Sequence, residues 1–138
     1  MGYRFGKASK RKLATATVRM QNVMREALRV SPMDFGISEG HRSLETQKKY
    51  FKEGKSKLDG VTKLSKHQRM PSHAVDIYAY HSGKAQWDKE SIIFLAGIII
   101  GVAKKMRVRI RWGGNWDGDG IIIHDQSFQD LVHFEVIP

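Results

Sequence analysis

The sequence predicts an α+β domain in which a small, mainly antiparallel sheet packs with about three helices. Apolar residues recur at helical spacing in stretches well separated along the chain. Short segments elsewhere alternate apolar and polar residues, as half-buried strands do. The two kinds of segment follow no regular β-α-β rhythm, which argues against a parallel sheet. At 138 residues the chain is expected to be one domain, 1–138, with no repeat, low-complexity tract or linker.

The first helix is expected from about Ser9 or Thr17 to Val30. Met20, Val23, Met24, Ala27 and Leu28 recur at three and four residues, the period of one buried face. Ser31-Pro32 ends it, because the residue before proline avoids the α region. Phe35 and Ile37 alternate with Gly36 and Ser38 in a short strand closed by Gly40. Ser43 reads as the N-cap of a helix to about Lys52, with Gly54 ending it and Leu44, Gln47 and Tyr50/Phe51 on one face. Residues 55–73 read as a long, basic, irregular loop, which in a small domain points to function. Ala74 to Tyr80 is β-prone, and 81–86 reads as a turn. Asp88 or Ser91 caps the most apolar helix, about 89–105. Val108 and Ile110 alternate with Arg107, Arg109 and Arg111, a strand pattern. A glycine- and aspartate-rich loop follows from Gly113 to Gly120, and His133 to Ile137 forms a last alternating strand.

Composition removes several function classes. Apolar residues at 41% and charged residues at 28% describe a globular chain, not a disordered one. There is no cysteine, so disulfides, iron–sulfur clusters, thiol catalysis and cysteine zinc fingers are excluded. The opening MGYRFGKASKRK has no apolar core of a signal peptide. The longest apolar run, Ile92 to Ala103, is 12 residues, too short for a bilayer, so no membrane span is expected.

Charge is unevenly spread. The formal net charge is +10, yet residues 1–70 hold 17 basic and 6 acidic residues, and residues 71–138 hold 7 and 8. A basic half attracts a polyanion, whether nucleic acid, lipid phosphate or an anionic wall polymer, or it serves solubility alone.

Two segments carry chemistry. Ser65-Lys66-His67 with Ala74-Val75-Asp76, and Asp130 with His133 and Glu135, bring histidines near carboxylates in a chain without cysteine. A catalytic zinc takes three protein ligands and leaves one position to water. His67, Asp76 and His133 would supply two imidazoles and one carboxylate, a set that acidifies a bound water to a pKa of about 7. Strand alternation puts His73 on the face opposite Asp76, so the two are not expected to share a metal. Asp130 precedes His133 by three residues in the turn that feeds the strand, where a general base would stand. Spacing alone leaves open that these histidines are structural.

The motifs together resemble the phage endolysins that are L-alanyl-D-glutamate peptidases. That family lies in the zinc peptidase superfamily that includes the VanY-type D-alanyl-D-alanine carboxypeptidases. The resemblance runs through F-G-K (Phe5 to Lys7), L-A-T (Leu13 to Thr15), S-P-x-D-F (Ser31 to Phe35) and G-x-R-[ST] (Gly40 to Ser43). It continues through S-K-H (Ser65 to His67), A-V-D-I (Ala74 to Ile77), G-K-x-x-W (Gly83 to Trp87), W-G-G-x-W (Trp112 to Trp116) and D-x-x-H-x-E (Asp130 to Glu135). It implies a Hedgehog/DD-peptidase-like fold, His67, Asp76 and His133 as zinc ligands, Asp130 as catalytic base, and Arg42 binding substrate or the developing charge. Glu135 then either orients a ligand or is an exposed strand charge.

One departure stands out. Many members carry S-x-H-x-x-G-x-A-x-D, whereas His67 and Asp76 are nine apart here, with Pro71-Ser72 where the glycine would be. A loop absorbs two residues without moving its ends, so His67 is kept and His73 is the competing ligand. His41 stands where tyrosine is more usual, as a loop histidine or a substrate contact.

Asn115, Asp117, Asp119 and Asp125 form an oxygen-rich loop that could bind a regulatory Ca2+, although the glutamate of an EF-hand is missing. Trp112 and Trp116 are expected to pack or line a groove, His124 to lie in that loop or near the site, and His81 to be a turn residue. The resemblance implies peptidoglycan as partner and no nucleic acid, and a monomer without a separate wall-binding domain. It implies synthesis in the host cytoplasm and action on the wall, in the periplasm, after release through a separate holin-type pore-former. A D,D-carboxypeptidase with the same zinc site is the close alternative. A basic nucleic-acid-binding domain is the alternative of another class, against which stands the lack of any recognition motif.

Overall fold

The structure, a computed structural model, describes residues 2–115 and 130–138. Its described elements are α1 (Lys7–Leu13), α2 (Val18–Val30), β1 (Asp34–Glu39), α3 (Leu44–Lys52), a single 3-10 turn (Lys66–Gln68), β2 (Ala74–His81), β3 (Lys84–Gln86), α4 (Lys89–Lys105), β4 (Ile110–Gly113) and β5 (Asp130–Val136). The fold is α+β, with a small five-stranded sheet ordered β1-β2-β5-β4 and β3 paired to the end of β2. Every strand pair is antiparallel.

The core is the one the apolar periodicity predicts. Met20, Val23, Met24, Ala27 and Leu28 of α2 are fully buried, and so are Ile92, Leu95, Ala96 and Ile99 of α4. They join Val75, Ile77, Ala79, Phe134 and Val136, the inward residues of the central strands, in one cluster. α4 packs across β2, β5 and β4, and α2 packs on α4. The alternation that turns Val75 and Ile77 inward turns Asp76 to the other face. Leu95→Ala is expected to cost about 2–5 kcal/mol, read as a lower denaturant midpoint at unchanged slope.

Local signals set most element ends. Thr17 accepts a hydrogen bond from Met20 N–H, Ser43 from Thr46 N–H and Asp88 from Ser91 N–H, three N-caps in a row of helices. Ser31 ends α2 in extended conformation before proline. Gly54, at φ +77, stands just past α3 in the left-handed conformation that stops a helix. Ser82 and Gly83 both have positive φ and form the two-residue turn between β2 and β3.

The structure differs from expectation in five places. The stretch 81–86, expected as a turn, is the end of β2, a two-residue turn and strand β3, because Ala79 to His81 pair back with Lys84 to Gln86. The first helix is two helices, so four α-helices stand among the described residues, because the backbone at 15–17 pairs with Ser72 instead of continuing the turn: Ser72 N–H donates to Thr15 O and Thr17 N–H to Ser72 O. The expected apolar face of α3 is not a core face. Leu44 and Phe51 are 45% and 48% exposed, while Gln47 is fully buried. Strand β4 begins at Ile110, because Arg107, at φ +60, is still turning the chain out of α4. Asp130 is the first residue of β5, not part of a preceding turn.

Candidate active site

The sheet sets out the site in rows. Glu39 of β1 pairs with Asp76 of β2, and Asp76 with His133 of β5, so three titratable side chains lie side by side across three strands. One row further, Glu135 pairs with Arg111 of β4. The 3-10 turn brings His67 over this face. Ser65 caps that turn by accepting from His67 N–H, while Gln68 reaches back to Ser65 N–H, so the loop is rigid where it carries the histidine.

His67, Asp76 and His133 form a group whose ligand atoms all lie within 4.8 Å of one another, and it could hold a metal ion. His67 Nε2 is 3.2 Å and His133 Nδ1 is 3.4 Å from the same oxygen, Asp76 Oδ1. Both rings are oriented from behind. His67 Nδ1 donates to the Gly40 carbonyl at 2.8 Å, which turns Nε2 to the centre. His133 Nε2 donates to Glu135 at 2.9 Å, which turns Nδ1 to the centre. Glu135 is in turn held by Arg111 Nη2 at 3.0 Å. Outer hydrogen bonds of this kind fix the tautomer and angle of an imidazole that binds a cation.

Electrostatics fit a cation at the centre. Burial would raise the Asp76 carboxyl, but the hydrogen bonds from His133 and His67 outweigh it and hold the group well below the usual carboxylate range. Burial would lower the His133 imidazole, but Asp76 and Glu135 outweigh it and push it up to about 9. The site therefore holds a proton at neutral pH that a metal ion would displace. Asp130 is raised above the ordinary carboxylate value, first by burial and then by the charge of Asp76.

Asp130 reaches this face through an irregularity in the ladder. Trp112 pairs with Phe134, but the next residue of β4, Gly113, pairs with Asp130. The register shifts between these two pairings, and the irregularity carries Asp130 to the cleft. Gly113 permits it, since a Cβ there would stand 1.9 Å from the Asp130 carbonyl oxygen. Trp112 stacks on Phe134 and donates Nε1–H to Leu131 O, pinning the other side of the bulge.

Arg42 sits at the cleft wall. Its guanidinium donates to Glu39 through Nε and Nη2 and to Gln47 Oε1 through Nη1, and it lies 4.7 Å from the Tyr50 ring centre. Nη2 is 3.9 Å from Asp76 Oδ2. Gln47 in turn donates to Ser56 and to Leu58 O. That polar clasp is what α3 buries in place of an apolar face. A cleft of about 680 Å3 takes in the three clustered residues together with Arg42, Asp130, Glu135 and Trp87.

The remaining sequence candidates fall elsewhere. His73 is outside the cluster. Its N–H donates to Lys66 O and its carbonyl accepts from Val136, which continues the strand pairing and keeps it off the Asp76 face. Burial, then Arg69, Lys66 and Arg19, lower its pKa below the ordinary 6.5. A group kept deprotonated by the fold costs stability once it must charge, so stability is fully present above pH 6.5 and falls as pH drops below it. The metal-free chain should lose more of its denaturant midpoint between about pH 7.5 and about pH 5 than His73→Gln does. His41 donates its backbone N–H to Thr15, and His81 lies at the end of β2, 3.5 Å from Asp88. Asn115 donates its N–H to Trp112 O. Asp117, Asp119, Trp116, His124 and Asp125 lie outside the described residues.

Sequence reading did not find Glu39, Gln47, Tyr50 or Arg111. No local pattern marks them, since each acquires its partner from another element.

Comparisons with known proteins agree along the whole chain. A sequence-family model described as phage L-alanyl-D-glutamate peptidase matches residues 1–137. The L-alanyl-D-glutamate peptidase of Escherichia phage T5 is 33% identical over 141 residues, covering 99% of this chain and 100% of that protein. Among solved structures, Serratia marcescens L-Ala D-Glu endopeptidase ChiX superposes with a TM-score of 0.77 at 27% identity, over 97% of this chain and 90% of that one.

Proposed function

We propose, from the premise that the chain belongs to the phage L-alanyl-D-glutamate peptidase family, that its cleft cuts peptidoglycan by zinc-assisted hydrolysis with Asp130 as the proton carrier. The protein is an enzyme of the bacterial cell wall, a peptidase for the amide between L-Ala and D-Glu of the stem peptide. The observation that carries the metal reading is the donor set. Two imidazoles, each turned by a hydrogen bond from behind, face one carboxylate oxygen.

Those residues fit zinc. Imidazole and carboxylate are its ordinary donors in a chain without cysteine, and three protein ligands leave a position for substrate or water. His67 would bind through Nε2, His133 through Nδ1 and Asp76 through its carboxylate. Zinc held there supplies a Lewis acid that acidifies water and polarises a carbonyl.

The chain's own groups do the rest. Asp130 takes the proton of the attacking water on a carboxylate oxygen, and its pKa, raised by burial and by the charge of Asp76, supports this, because a more basic carboxylate accepts a proton more readily. It returns that proton to the leaving amine of D-Glu. Arg42 has five N–H donors and spends three on Glu39 and Gln47, which leaves two for a stem carboxylate or the carbonyl oxygen as it gains charge. Glu135 and Gly40 hold the two imidazoles in orientation.

No described helix is long and apolar enough to cross a membrane. The endolysin reading carries with it a monomeric enzyme that reaches the wall through a separate holin-type pore-former and acts in the periplasm. A Ca2+ role for Asp117 and Asp119 belongs to the same reading.

The test is a digest of purified Gram-negative peptidoglycan by chain whose zinc content has been measured, with products read by mass spectrometry. Peptides that begin at D-Glu, beside muramic acid that keeps L-Ala, are expected. Release of terminal D-Ala alone would move the assignment to a carboxypeptidase. A fully active chain that contains no zinc and resists chelators would sink the metal reading.

A further inference from the structure

Most of the chain's positive charge plays no part in the site just described. Residues 2–30 carry eight basic residues against one acid, Glu26. Among the described residues, only Arg29 of those eight has a carboxylate partner, and that partner is Glu26. A surface that serves solubility mixes both signs. This one is positive at eight of its nine charged positions, and clustered like charges repel one another.

Its position is specific. The chain reversal between α1 and α2 is bonded to Ser72, and Thr15 Oγ1 accepts from His41 N–H, so the end of α1 is fastened beneath the loop that carries Arg42. Gly40 lies so close to this end that a Cβ would stand 2.3 Å from Lys12 O. On the neighbouring side, Lys66, Arg69 and Arg19 act together on His73. Lys66 also lines the catalytic cleft. A band of cations thus leaves the cleft at Lys66 and continues over Arg69 and Arg19, with Lys12 on the neighbouring end of α1. Lys12, Arg19 and Arg69 are exposed, and none of the four makes an ion pair among the described residues.

We infer that this band is a second binding surface for peptidoglycan, which holds free carboxylates of stem peptides beside the one in the cleft. The inference rests on the peptidase reading and deepens it. The substrate is one unit of a net in which neighbouring stems present carboxylates, and a surface continuous with the cleft meets them at once. Each contact is weak, but contacts on one polymer act together and raise the local concentration of the enzyme on the wall. Exposed charges also speed encounter more than they tighten the bound state.

The test compares two substrates. The triple variant Lys12→Gln/Arg19→Gln/Arg69→Gln leaves every residue of the cleft in place. Its kcat/KM on a short soluble peptide containing L-Ala-D-Glu should stay within about twofold of the parent. Its sedimentation with purified sacculi should fall by about tenfold or more. Raising ionic strength from about 0.1 to about 1 M shortens the screening length from about 10 to about 3 Å. That change should release the parent from sacculi and affect the triple variant little. The charge-keeping variant Lys12→Arg/Arg19→Lys/Arg69→Lys should bind as the parent does.

Sacculus binding unchanged in the triple variant would overturn the inference. Equal loss on sacculi and on the soluble peptide would also overturn it, since the residues would then act on the site. Loss of binding to phosphatidylglycerol vesicles with sacculus binding intact would assign the surface to lipid instead. A parent chain that cleaves neither substrate would sink the peptidase reading, while sedimentation would still decide the surface.

Discussion

Asp130→Asn is expected to lower kcat by about 10²–10⁴-fold, the usual worth of a positioned proton carrier, while the chain keeps one equivalent of metal. The expectation follows from the separation of roles in the cleft. Asp76 is bonded to both imidazoles, whereas Asp130 stands half-buried in the same cleft with its pKa raised by burial and by the Asp76 charge. Asparagine keeps the shape and removes the proton acceptor. Metal content by elemental analysis and kcat on a soluble peptide read the two roles apart. Loss of metal from the variant would show that Asp130 is a ligand and end its assignment as base. Gly113→Ala is expected to act on the same step from the neighbouring strand. Its new Cβ collides with the Asp130 carbonyl, so the bulge must move and kcat should fall with KM little changed.

His133→Ala is expected to remove metal and activity together. It deletes one of three ligand atoms and leaves the Nδ1 position empty beside Asp76. Glu135→Gln is the graded companion. It weakens the bond that orients His133 without touching the cluster, and loss of such an outer partner costs about 10–100-fold in metal affinity or activity. The order His133→Ala below Glu135→Gln below parent, in metal affinity by competition with a chelator, is the expected series. A His133→Ala chain with full metal content would show that the cation is held elsewhere, and would remove the cluster from the mechanism.

The site and fold were legible in the sequence to different depths. Helix α4 is read at both ends, because its apolar run and its Asp88 cap are local in sequence and need no partner to act. The face of β2 is read for the same reason, since alternation alone sends Val75 and Ile77 inward and Asp76 outward. Spacing alone does not place His67, because its loop is two residues longer than the family pattern. The capped turn at Lys66–Gln68 takes up that length and still aims the imidazole at Asp76.

What stayed hidden depends on pairing between distant segments. The break between α1 and α2 comes from Ser72, more than fifty residues downstream. The face of α3 looked apolar at helical spacing, but Gln47 is buried there because Arg42, Ser56 and Leu58 offer it partners.

The sequence by itself determined the fold class, the core faces of α2, α4 and β2, the absence of thiol chemistry, and the residue types able to hold a metal. These follow from periodicity, capping and composition, which neighbours along the chain already express. Only the tertiary structure decided which of those residues meet. The row from Glu39 through Asp76 to His133 exists because three strands pair in one register. Asp130 joins that row because β5 slips against Gly113, where a side chain would leave no room. Register and close approach are properties of two segments at once, so no single stretch of sequence carries them.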